Sequence, residues 1–149
     1  MTENLPDVNL DEIEKRLLSP ELTQVECKVE HFFGPGLYIR QVTLPAGLIV
    51  MGHAHKQDNM NIMIKGKLLL LRDDGEVATL EAPQTFVNGP GRKVAYVIEE
   101  TVWQNVHATE ETDLDRLEDM YIQKSQAWLE ADEIKRLSKA RKEIELCHG

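Results

Sequence analysis

Residues 47–66 read GLIVMGHAHKQDNMNIMIKG: an apolar run, two histidines one residue apart, a pair of asparagines and a closing glycine. On a strand, side chains two apart share a face, so the spacing predicts that His53 and His55 project together with Ile49 and Met51. Two imidazoles facing an interior are costly unless they are hydrogen-bonded or bound to a metal. The stretch is therefore a metal site, a small-molecule pocket or a piece of satisfied barrel core. Its flanks decide the fold.

Both flanks keep a period of two. In TQVECKVEHFF (23–33), Val25, Cys27, Val29 and Phe33 alternate with charged neighbours and carry His31 on the apolar face. LYIRQVTL (37–44) follows the turn at residues 34–36. NMNIMIKG (59–66) and KLLLLRD (67–73) read as two strands or as one long strand bent at Gly66. Asp74-Gly75 signals a hairpin into EVATL (76–80), and TFVN (85–88), KVAYVIEE (93–100) and TVWQNVHAT (101–109) complete the set. Roughly eight or nine short strands with turns at near-regular intervals predict a closed antiparallel barrel or jelly roll.

Helical periodicity is confined to the ends. NLDEIEKRLL (9–18) has Asn9 as its cap, with Leu10, Ile13 and Leu17 on one face. Beyond Thr109, Thr112 is the expected cap for a stripe of Leu114, Leu117, Tyr121 and Trp128. A second stripe, Ile134, Leu137 and Ile144, is out of phase with it, so two helices or one bent near Ala131 are expected. The organisation expected is mainly β: a helical arm over residues 1–23, a barrel over 24–109 and a helical extension over 110–149.

With 149 residues the chain suits one domain. Hydrophobic residues at 42% and charged ones at 29% indicate a globular protein. A net charge of -9 argues against nucleic acid or an anionic membrane surface as partner. Cys27 and Cys147 form no CxxC spacing and follow no secretory leader, so a reducing cytoplasm is expected. No apolar run is long enough to span a bilayer. The acids of residues 110–120 read as a solvated helix start rather than a cation site. A GxSxG elbow, a P-loop, a dinucleotide fingerprint and an HExxH helix are all missing.

The spacing Gly47, His53, His55 and Gly66 resembles the first sequence motif of the cupin superfamily, with Asn59 where the family has an acid. The resemblance implies a small jelly-roll barrel over about residues 24–109, whose histidines and glutamate hold a divalent metal. The second motif, sought in EAPQTFVNGPGRKVAYV (81–97), has Lys93 near the place of the last histidine, and a lysine cation repels a metal ion. The stretch 90–118 is also similar to cupin-like proteins of tailed bacteriophages, which implies the host cytoplasm or the virion as location.

For a metal set, the candidates are His53, His55, His107 and Asn59, with iron, manganese, zinc or nickel as the ion. His107 shares its strand face with Trp103 and Asn105; Asn59 offers only a neutral carbonyl oxygen; Asn61 is placed to orient a histidine. Lys93, Arg92 and Tyr96 are candidates to hold an anionic ligand near the barrel mouth, against an exposed basic turn. Met60 and Met63 read as core filling, Trp103 as core or subunit interface, His31 as a satisfied core histidine and His148 as tail. The function expected is a cupin-like protein with a divalent-metal or small-polar-molecule site; an enzyme would use the metal as Lewis acid or oxygen-activating centre. The alternatives are a non-catalytic phage structural or accessory protein with a decayed metal site, or a metal-free sugar- or nucleotide-sugar-binding cupin. The resemblance also implies a homodimer, since cupin-like barrels commonly pair through strand edges that would otherwise stay open.

Overall fold

The computed structural model of the chain describes residues 2–4, 9–72 and 74–148, with side chains for 9–72 and 74–142; Ile144, Cys147 and His148 fall outside the latter. In chain order the elements are β1 (Thr2–Asn4), α1 (Leu10–Leu17), β2 (Lys28–Gly34), β3 (Leu37–Leu44), β4 (Ile49–Met51) and β5 (Ala54–His55). Then come β6 (Asn59–Arg72), β7 (Glu76–Glu81), β8 (Gln84–Asn88), β9 (Lys93–Ala108), α2 (Leu114–Tyr121), β10 (Ile122–Gln123) and α3 (Gln126–His148).

Two long strands organise everything else. The first half of β6 pairs with β8 on one side and with the second half of β9 on the other. The second half of β6 pairs with β7 and with the first half of β9. β9 in turn carries β4 beside its first half and β3 beside its second, with β2 outside β3. All pairings are antiparallel, and the result is two layers, β8-β6-β9-β3-β2 and β1-β7-β6-β9-β4, joined where β6 and β9 bend. The main path runs β1-β7-β6-β9-β3-β2, so β1 and β2 end it without pairing to each other among the described residues. The antiparallel jelly-roll arrangement expected from the sequence is present, with the sheet open rather than closed.

The bend rests on Gly66. Its φ is +102°, and a Cβ there would meet Glu100 O and Thr101 Oγ1 at 2.4 Å. Only glycine lets the two strands cross this closely. The ladder between β6 and β9 shifts register on both sides of Lys65 and Lys67. Inward-facing residues accordingly change from odd (Asn59, Asn61, Met63) to even (Leu68, Leu70) along one strand. Met63, Leu68, Leu70, Leu80, Ala95 and Trp103 form the main core, with Val42, Ala82 and Phe86 against it.

Several local expectations change. β2 begins at Lys28 rather than residue 24, and as an edge strand it leaves Val29, Phe32 and Phe33 more than a third exposed. Residues 93–108 form one strand, not two. The C-terminal helices separate at residues 122–125, where β10 pairs with β5, and α3 runs through Ala131 unbroken. Asp113, not Thr112, caps α2, its Oδ1 accepting from the backbone N–H groups of Asp115 and Arg116 at 3.0 and 3.1 Å. Asn9 caps α1 as expected, accepting from the Glu12 backbone N–H at 3.2 Å.

Candidate functional site

Between the two layers lies a half-open cavity of about 710 Å³. β3 gives it Tyr38, Arg40, Val42 and Leu44; β9 gives Lys93, Ala95, Trp103, Asn105 and His107. These alternate residues lie directly opposite each other, Tyr38 to His107, Arg40 to Asn105, Val42 to Trp103. Leu68 and Leu70 floor it from β6, and Leu117, Glu118, Tyr121 and Ile122 cover one mouth.

His53 and His55 both line the cavity, but not as members of one continuous strand. The chain leaves strand geometry at Gly52 and His53, between β4 and β5. Val50 therefore faces inward while Ile49 is exposed, opposite to the parity expected from a single strand. His55 is then fixed by pairing with Ile122, and the Gly91 backbone bonds it from the other side.

His107 is buried and stacked, its ring centroid 4.0 Å from that of Tyr121 and 5.9 Å from that of Tyr38. Tyr38 stacks further on Phe33 and His31, and its hydroxyl shares a 2.7 Å hydrogen bond with His31 Nδ1. His31 is thus satisfied, though at an exposed rim rather than in a core. An aromatic column thus runs from the α2 cover to the β2 edge. His53 meets Trp128 edge to face, with ring centroids 4.9 Å apart.

All four cavity histidines have lowered pKa values, in each case first because burial disfavours the imidazolium. His55 is pushed down to about 4, with Lys93, His107, Arg40 and His53 adding to burial. The Arg40 guanidinium acts on His31, His53 and His107 as well. At neutral pH these are neutral rings, each with one N–H and one acceptor nitrogen. The buried His55 Nδ1 has no hydrogen-bond partner among the described residues.

The asparagines form a separate network. Asn59 Oδ1 accepts from Asn61 Nδ2 at 2.8 Å and Asn105 Nδ2 at 3.0 Å. Asn61 Oδ1 accepts from Trp103 Nε1 and Asn105 Nδ2, both at 2.7 Å. Asn61 and Asn105 reach the cavity wall, whereas Asn59 lies behind it with its oxygen already occupied. Asn61 thus orients Trp103 and Asn105 rather than a histidine.

For the basic candidates the outcome is mixed. Lys93 lines the cavity. Tyr96 stands on the outer face of β9, opposite Ile49 and Leu69, and is 47% exposed. Arg92 is held by α1, pairing with Asp11 and Glu14. Sequence reasoning passed over Tyr38 and Arg40, because both parities of LYIRQVTL carry apolar residues and alternation alone does not choose the inner face.

A divalent metal does not fit this donor set. Among the described residues, no three histidine, cysteine or acidic side chains gather to hold an ion. Lys93 and Arg40 both act on His55 as cations, and the carboxamide at position 59 is spent on the network. The acids of residues 110–120 form no such group either; Glu118 pairs with Lys124 at 3.0 Å. None of the described helices is long and apolar enough to cross a membrane.

No family model matches the chain, and no curated protein does. Solved structures do. An RmlC-like cupin family protein with a double-stranded β-helix fold from Methanocaldococcus jannaschii is 19% identical, with a TM-score of 0.47 over 62% of this chain and 86% of its own. A cupin domain from Bordetella pertussis is 15% identical, with a TM-score of 0.46 over 59% of this chain and 98% of its own. KdgF from Halomonas sp. is 16% identical, with a TM-score of 0.48 over 64% and 90%. All three identities are under 25% and all three TM-scores under 0.5.

Proposed function

We propose that this chain is a cupin-like small-molecule-binding protein whose interior site works without a divalent metal. The observation that carries the reading is the cavity itself. At about 710 Å³ it lies within the range of roughly 300–1,000 Å³ common to ligand pockets. Its wall combines an apolar floor (Leu68, Leu70, Trp103) with polar groups from two segments: His53 and His55 at β5, and Asn105 and His107 on β9. The unpartnered His55 Nδ1 is a hydrogen-bonding atom that a ligand can satisfy. Neutral imidazoles suit hydrogen bonding to a polar small molecule, and they leave proton transfer open to a ligand that reaches His55 or His107.

Native mass spectrometry combined with elemental analysis of untagged protein tests this. The expected result is a bound organic species of low mass, or a metal-free chain that takes up small polar molecules and shows raised thermal stability. Stoichiometric iron, manganese, zinc or nickel that is lost on replacing His53 and His55 with alanine would overturn the metal-free reading. The alternative of a phage accessory protein with a decayed site would be favoured if the cavity bound nothing.

A further inference from the structure

We propose that the ligand of this cavity is a small organic anion with an apolar body, and that Arg40 anchors its charged end; this rests on the small-molecule reading above. Arg40 stands midway along the inner face of β3, between Tyr38 and Val42, with neutral His31 and Asn105 as its neighbours across the two ladders. Its guanidinium makes no ion pair or hydrogen bond among the described residues, although it influences Cys27, His31, Tyr38, His53, His55 and His107 around the cavity.

The cavity's only carboxylates among the described residues are Asp115 and Glu118, both on the α2 cover. Glu118 is engaged with Lys124. Asp115 is exposed and neither acid pairs with Arg40 among the described residues, and a half-buried guanidinium left without an anionic partner is costly unless something anionic completes it. The planar fork of arginine suits a carboxylate or a like oxyanion, bound through two parallel hydrogen bonds. Past Arg40 on the same wall come Val42 and Leu44, then Leu68, Leu70, Ala95 and Trp103, which offer dry surface for the rest of the molecule.

Two fluorescent probes with the same rings separate the claims: 1-anilinonaphthalene-8-sulfonate, and N-phenyl-1-naphthylamine, which lacks the sulfonate. Titrated into the full chain at neutral pH, the sulfonate should bind at least tenfold more tightly, equivalent to about 1.4 kcal/mol. Arg40→Met should remove that preference while keeping the amine's affinity, and Arg40→Lys should restore part of it. Equal affinities in the unaltered chain, or a preference that survives Arg40→Met, would overturn the anion inference and leave the cavity reading standing. Binding of neither probe would sink both. Should circular dichroism show that Arg40→Met does not fold, displacement from the unaltered chain decides. Octanoate should displace the sulfonate and octanol should not; displacement by both alike refutes the inference.

Discussion

Asn61 shows how a polar residue becomes obligatory inside an apolar wall. It is fully buried, and its oxygen receives both the Trp103 indole N–H and an Asn105 amide N–H. Replacing it with alanine strands those two donors, and a buried unsatisfied group costs about 1–3 kcal/mol. Asn61→Ala should therefore lower the unfolding free energy by an amount in that range or above, read as a lower urea midpoint with the slope unchanged. A midpoint equal to that of the unaltered protein would mean that the network contributes nothing to stability. The sequence marks the asparagine pair as unusual. It cannot show that residue 59 shares hydrogen bonds with a residue 46 positions away.

Elements are governed here by where the backbone bends. Gly66 combines a left-handed φ with backbone and Thr101 atoms at 2.4 Å from any Cβ, so Gly66→Ala meets both strain and collision. It should destabilise by more than about 2 kcal/mol, the scale of large single-residue effects. Thermal unfolding followed by circular dichroism checks it, and a loss below half a degree would remove the claim that the crossing needs glycine. The bend at Gly66 was readable in the sequence, as was the long strand around it. The break at Gly52 and His53 was not, since GLIVMGHAH runs from four apolar residues into the histidine pair with only Gly52 between them. What stops the strand is tertiary: β4 pairs with β9, while His55 is drawn to Gly91 and β10.

At the scale of the molecule, four neutral histidines tie stability to pH. In the unfolded chain a histidine takes up its proton near 6.5, whereas folded His55 does so only at about 4. Below 6.5 the unfolded state binds more protons, so stability present in full above that value is lost as pH falls toward about 4. His31, His53 and His107 shift in the same direction and add to the trend. Because carboxylates titrate nearby, the comparison is with His55→Gln, whose melting temperature should fall less steeply between pH 6.5 and 4. Identical slopes for the two proteins would show that His55 protonation is not coupled to folding.

The sequence by itself determined the class of fold: a β region framed by helical ends, with the bend glycine and the Asn9 cap. These follow from local rules, since periodicity, turn chemistry and steric limits act over a few residues. Only the tertiary structure decided the composition of the site. It put Arg40 opposite Asn105, closed His107 between Tyr38 and Tyr121, moved Tyr96 to the outer face and gave Arg92 to α1. The physical reason is register. Which of two alternating faces becomes interior, and what stands across it, depends on pairing between strands far apart in the chain, and no local pattern carries that information.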